Sequence, residues 1–329
     1  MNETTAHEMS ILEQPTLPKF FLSDCFILPD PLYDKEMDRH SSNLTTAVIN
    51  GLCSPFVVIT NSLVVLVITR NASLQTPSNV LLACLAFSDF LVGLLVQPCY
   101  VAFRLIENTN HFVPCGLRIL YSESFWICYG VSFLTLSAIS FERYTALRLH
   151  LRYKEVVTSQ RVLKVVVGIW LLDIFLTALE WTTQTKHLRN VHAGVLLFCL
   201  LLTLSTHAKI FLIFRRHQRQ INSFHVCRRD PLKTTIQRQS RLAVNVAYIV
   251  AIYVICNIPV LVVMSYLFVG GRFATFDVFS WSETIAFLNS LINPIHCCWR
   301  NREIRRAILG LFSNVVCLRK FSLHAGGFM

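Results

Sequence analysis

The chain has 329 residues, 53% of them hydrophobic and only 15% charged, where soluble proteins carry about a quarter. That composition leaves too little polar surface to coat a water-soluble body of this length. The formal net charge of +11 sits between long apolar runs and not on a polar domain, which assigns it to membrane lipids and excludes nucleic acid as a partner.

In chain order, an acidic tail comes first: residues 1–46 hold eight acids against Lys19, Lys35 and Arg39. Seven segments then meet the roughly 20 apolar residues that a spanning helix needs: 47–69, 78–100, 114–147, 161–183, 192–214, 241–269 and 277–298. The first contains Asn61, and the second reads LACLAFSDF with Asp89 near its middle. The third is the longest, contains Ser132 and ends in Glu142-Arg143-Tyr144. The fourth carries Trp170 and Asp173, the fifth Cys199 and His207. The sixth reads CNIPVL around Pro259, and the seventh FLNSLINPI, with Asn289, Ser290, Asn293 and Pro294.

Twenty-two of the 30 Lys and Arg residues fall on one side of these spans. Basic loops stay inside, so the N-terminus is expected outside and the C-terminus inside, in a multi-pass protein of the plasma membrane. Asn2 and Asn43 head glycosylation sequons on the outer side. About nine residues are expected to join spans four and five, and the polar, basic stretch 215–240 is a solvated linker or a helix extension. The twelve cysteines show no CxxC pair and no zinc spacing.

Polar groups inside a membrane are expensive, so each raises a functional question. Asp89 needs partners, and the Asn and Ser residues of spans three and seven are oxygen-bearing groups that a small hard cation accepts. A hydrogen-bonded helix-packing knot is the other reading, and both stay open. Pro259 and Pro294 each remove a backbone donor and kink a helix. Arg143 lies where its charge reaches water, with Glu142 beside it, an arrangement that suits a latch; an interfacial anchor is the alternative.

Asn61, LAFSD, ERY, Trp170, CNIP and NPIHC fall one per span and in order, and with them the chain resembles a rhodopsin-like (class A) G-protein-coupled receptor over roughly residues 50–312. The resemblance implies an all-α fold: a seven-transmembrane helix bundle over 47–298, a short amphipathic eighth helix over 299–312 and a cytoplasmic tail over 313–329. It matches Asp89, Ser132, Asn289, Ser290 and Asn293 to a sodium pocket. No other cofactor is implied, and retinal is disfavoured because span seven has no lysine. Coupling to a heterotrimeric G-protein is matched to Glu142, Arg143, Tyr144 and Leu151, and the switching machinery to His207, Asn257, Pro259, Asn293, Pro294 and Cys297. Several of these depart from the family pattern. Asn257 stands for the usual Trp, Cys297 for a Tyr, His207 for a Tyr, and Cys199 holds the place of the span-five proline. Arg118 occupies the usual disulfide position, which leaves Cys115 to pair with Cys25 or stay reduced.

Amine receptors of the family place an Asp eighteen residues before the ERY arginine, and here that residue is Phe125. The implied outer pocket is apolar, made by Phe125, Trp126, Tyr129, Val260, Leu261, Met264 and Phe287. Glu123 and Glu283 lie near its mouth, either to hold a cation or to face water. The short second outer loop and the missing proline are similar to the melanocortin, cannabinoid, lysophospholipid and adenosine branch. The extracellular ligand expected is a lipid, peptide, nucleoside or small cation. The alternatives are a receptor-like protein with weak or no signalling, or a transporter. An enzyme is not expected, since Asp89 and Asp173 are the only mid-span acids.

Overall fold

The computed structural model describes residues 25, 40–110, 113–149, 152–183, 186–223, 250–263 and 277–311. These residues are almost entirely helical and form a seven-helix bundle with a short helix at its end. Helix α1 is His40–Arg70; it starts before residue 47, so the N-terminal tail is shorter than the sequence implied. Its polar first turns are compatible with a helix because hydroxyls fold back onto the backbone: Thr45 Oγ1 donates to the Ser41 carbonyl (2.6 Å) and Thr46 Oγ1 to that of Ser42 (2.9 Å).

Span two is built from α2 (Pro77–Leu91), a π-helical turn at Val92–Val96 and α3 (Gln97–Asn110). The Thr76 side chain caps α2 by accepting from the Asn79 N–H, and Pro77 occupies the first helical position. The π turn has a local cause in Pro98, which has no N–H for the Leu94 carbonyl and would crowd it in a regular helix; the widened turn relieves both problems. Gly93 in this turn lets α1 approach closely. A Cβ there would stand 2.9 Å from Val57 Cγ1, and Ser54 Oγ donates to the Gly93 carbonyl at 2.8 Å.

Helix α4 (Cys115–Leu149) is span three, and its 35 residues extend about 52 Å. It packs on α2, on α6 (Ser159–Thr183) and on α7 (Lys186–Ser223), with the single helical turn α5 (Tyr153–Val156) beside its end. The expected nine-residue loop between spans four and five is not there: α6 ends at Thr183 and α7 starts at Lys186. Both helices continue through polar residues that a hydropathy criterion discards. At its other end α7 runs to Ser223, so the start of stretch 215–240 is a helix extension.

Helix α8 (Val250–Val263) lies within span six, and α9 (Asp277–Arg300) is span seven. At Asn301 the chain breaks, and the Asn301 side chain accepts from the N–H groups of Glu303 (3.1 Å) and Ile304 (3.3 Å), capping α10 over 302–311. Ile304 is wholly buried against a cluster that includes Cys297, Val64 and Ile68, while Arg302, Arg305 and Arg306 are exposed.

Five of the described helices are long and apolar enough to cross a membrane, and they turn large side chains outward: Leu52, Phe56, Leu171, Phe198 and Leu212 are each exposed. In lipid, such residues give no drive to associate, so close packing and interhelical hydrogen bonds must hold the bundle. The bonds are present: Asn61 Nδ2 donates to the Ser290 carbonyl (2.9 Å), and Ser137 meets both Thr203 Oγ1 (2.9 Å) and the Cys199 carbonyl (3.1 Å).

Candidate functional site

Helix α4 repeats an aromatic residue every fourth position: Tyr121, Phe125, Tyr129 and Phe133. Side chains four apart share a helix face. These rings form a column, with centroids 5.3 Å apart between Phe125 and Tyr129 and 4.8 Å between Tyr129 and Phe133. Tyr253 of α8 continues it at 4.9 Å, and Phe287 of α9 meets Phe125 edge-on at 5.8 Å.

A cavity lies against this column. Phe125, Tyr129, Phe287 and Asn257 line one part of it, and Asp89, Ser132, Asn289 and Ser290 the other. It leaves about 20 Å³ for the centres of water-sized particles, enough for one. The residues assigned to an outer pocket and those assigned to an ion site thus share one space. Trp126, Val260 and Leu261 do not line this cavity: Val260 is enclosed in the main apolar cluster, and Trp126 and Leu261 pack against it. Glu123 is half-buried and also lies off the cavity wall. Met264 lies outside the described residues.

Asp89 is 2% exposed. Ser290 Oγ donates to its Oδ1 at 2.7 Å and Asn293 Nδ2 to its Oδ2 at 2.8 Å, which joins α2 to α9 just before Pro294. Ser132 is bonded to Ser88 (3.0 Å) and to the Cys128 carbonyl (2.8 Å). Asn289 Oδ1 is buried with no hydrogen-bond partner among the described residues. Asn257 donates to the Tyr253 carbonyl at 2.7 Å, so its amide meets the cavity where an indole was expected.

At the far end of α4, Arg143 and Glu142 form a two-pronged pair, Nε to Oε2 at 2.5 Å and Nη2 to Oε1 at 2.9 Å. Here the sequence expectation needs correcting. Arg143 is 7% exposed and Glu142 4%, so the charge is closed in and neither reaches water nor snorkels to headgroups. Tyr153 of α5 joins the pair: its hydroxyl donates to Glu142 Oε1. Burial, and then the adjacent Glu142 carboxylate, push this phenol above its ordinary pKa and keep it a donor. No motif marks Tyr153, because eleven residues and a loop separate it from its partner. Tyr144 is half-buried beside Leu147 and Ile210, and Leu151 lies outside the described residues.

The remaining switch residues are placed as follows. His207 Nε2 pairs with Ser140 Oγ at 3.0 Å. Pro259 is half-buried within α8. Cys297 is 7% exposed in the apolar cluster of α1 and α10. Cys25 and Cys115 form a disulfide, with Cα atoms 5.5 Å apart. Asn2 lies outside the described residues. Asn43 is withdrawn as a glycan site, because its side chain is buried in α1 at 3% exposure and a glycan needs an amide in water.

Two further groups had no role assigned from the sequence. The Asp173 carboxylate, wholly buried, lies against Gly130 of α4. Arg104 of α3 is held between Glu107 and Glu283.

Residues 60–194 match the family model described as 7 transmembrane receptor (rhodopsin family). Among curated proteins, the chain is 26% identical over 308 residues to an adenosine receptor A2a of Canis lupus familiaris, covering 82% of this chain and 72% of that one. It is 28% identical over 302 residues to a histamine H2 receptor of Cavia porcellus, covering 84% and 81%. It is 26% identical over 299 residues to a trace amine-associated receptor of Petromyzon marinus, covering 83% and 81%. With the ordered motifs, the aromatic column, the Asp89 pocket and the Glu142–Arg143 pair on one helical bundle, the chain is similar to the rhodopsin-like, class A, G-protein-coupled receptors, a family of multi-pass receptors.

Proposed function

We propose that a small organic ligand enters the end of the bundle remote from Arg143 and changes the packing of the column from Phe125 to Tyr253, and that this opens the Glu142–Arg143–Tyr153 latch to a heterotrimeric G-protein. The supporting observation is the shared cavity: its upper wall is Phe125 and Phe287, and its floor is Asp89 with Ser290. A ligand that binds the open arrangement more tightly shifts the population toward it. In this reading the N-terminus is extracellular and Arg143 cytoplasmic. Relatives named for adenosine, for histamine and for trace amines put both nucleosides and amines among the ligand classes to test.

The residues at the floor fit a sodium ion. Asp89, Ser132 and Ser290 offer oxygen atoms, and the Asn289 Oδ1 has no partner among the described residues. An ion there would favour the closed bundle, because the same Asp89 oxygens bind α9 through Ser290 and Asn293.

A second reading, a receptor-like protein with weak signalling, is favoured by Cys297: its thiol is packed in apolar surroundings and offers none of the hydrogen bonding of a tyrosine. The test is a receptor tagged at both ends, screened with a ligand library against a panel of chimeric G-proteins. The N-terminal tag should label on intact cells and the C-terminal tag only after permeabilisation, and at least one chimera should give a response that Arg143→Ala removes. Reversed labelling, or silence across the panel, would reject the proposal.

A further inference from the structure

Among the described residues, besides the Asp89 floor and the Glu142–Arg143 pair, a further concentration of buried charge lies one helical turn beyond the Phe125–Phe287 end of the cavity. Arg104 Nη1 donates to Glu107 Oε2 at 2.9 Å, while Glu283 stands 3.6 Å away, within ion-pair range but outside hydrogen-bond distance. All three are nearly inaccessible, at 2%, 4% and 1% exposure. The guanidinium also lies over the faces of Tyr100 (5.0 Å) and Phe103 (5.2 Å), so it is held from several sides. Arg104 and Glu107 are thus hydrogen-bonded to each other, and the guanidinium holds Glu283 only at ion-pair range. With both carboxyls ionised, the trio carries two negative charges and one positive.

A buried charge without a full partner is strongly unfavourable, and most of the unmet groups here are acceptors. Among the described residues Glu283 Oε2, Glu107 Oε1 and Gln97 Oε1 lack hydrogen-bond partners, as do two donors, Arg104 Nε and the Tyr121 hydroxyl. Tyr121, 8% exposed, brings its hydroxyl close to Glu283 without closing a hydrogen bond in this arrangement. Ala286 and Phe287, three and four residues after Glu283, line the cavity, as does Phe125, four after Tyr121. The acceptors and the apolar walls thus follow one another along the same two helices.

We propose that Glu283 receives the protonated amine of a small ligand with an apolar body, that Glu107 and Arg104 hold the Glu283 carboxylate in place, and that the apolar body lies against Phe125 and Phe287. The amine supplies the missing positive charge and donors for the orphaned oxygens. An anionic ligand would have to take Arg104 from Glu107, leaving three negative charges around one guanidinium. This proposal rests on the receptor reading above and names the ligand class for that cavity.

Three matched probes test it on purified full-length receptor by thermal shift: phenethylamine, its neutral N-acetyl derivative and phenylacetate. Phenethylamine should stabilise the protein at least tenfold more potently than either analogue, and Glu283→Gln should abolish that preference while the variant still unfolds cooperatively. Phe287→Ala should weaken phenethylamine and the N-acetyl compound alike, because it removes packing and not charge. Equal potency of the three probes, preference for phenylacetate, no stabilisation by any of them, or an undiminished amine preference in Glu283→Gln would each overturn the proposal. The coupling experiment at Arg143 reads the receptor function independently: amine binding without coupling would keep this assignment and reject that one.

Discussion

The carboxylate of Asp173 occupies the space where residue 130 would carry a side chain. A Cβ on Gly130 would lie 2.0 Å from Asp173 Oδ1, and Asp173 is wholly buried between α6 and α4. Gly130→Ala should therefore push the two helices apart; overpacking of this kind costs about 1–3 kcal/mol. Thermal unfolding of the purified receptor should show a lower midpoint for Gly130→Ala, partly recovered by adding Asp173→Ala. An unchanged midpoint would show that Asp173 can swing away freely.

Tyr153 donates to the same Glu142 carboxylate that holds Arg143. A hydrogen bond to a charged group contributes about 1.5–3 kcal/mol, and 1.4 kcal/mol is tenfold in an equilibrium. Tyr153→Phe should raise ligand-free G-protein activation by about tenfold at matched surface expression. Nucleotide-exchange assays on membranes measure this directly; equal basal rates would remove Tyr153 from the latch.

Sodium occupancy at Asp89 is testable without any ligand. At a tenfold excess over its dissociation constant, an ion bound only to the folded state adds about 1.4 kcal/mol. The unfolding midpoint should be higher by a few degrees in sodium chloride than in choline chloride of the same ionic strength. Asp89→Asn should make the two salts equivalent, and a persistent difference in that variant would place the ion elsewhere.

The bridge from Cys25 to Cys115 closes a loop of 90 residues and fastens the N-terminal tail to the start of α4. Loop-entropy reasoning gives about 4.6 kcal/mol for a loop of this length. Cys25→Ser, Cys115→Ser and the double variant should lose the same amount of thermal stability, as members of a pair do. Additive losses would mean that the two cysteines act separately.

Much of the architecture was legible because a membrane imposes a one-dimensional constraint: apolar runs of spanning length, punctuated by basic loops, reveal themselves without tertiary knowledge. The Asp89 pocket was legible for a related reason, since a polar group within such a run stands out. What stayed hidden depends on contacts between distant residues. Arg104 and Glu107 fall beyond the apolar run of span two, and nothing local says that α9 brings Glu283 against them. Nothing local in the sequence marks Gly130; only the fold places Asp173 beside it. The first turns of α7 failed the hydropathy criterion because Lys186, His187 and Arg189 are polar, although they continue the helix without a break. The stripe of rings at 121, 125, 129 and 133 was present in the sequence all along, at a helix period that aligns them, and only its continuation through Tyr253 required the fold.

The central claim is that this bundle activates a G-protein by releasing Arg143 from Glu142. The most direct measurement needs no ligand: G-protein activation by Glu142→Gln, with and without Arg143→Ala, at equal surface expression across a panel of chimeric G-proteins. The account predicts that Glu142→Gln raises activation well above wild type and that adding Arg143→Ala returns it to the level of untransfected cells. Activation that is unchanged by Glu142→Gln, or that survives the loss of Arg143, would contradict it.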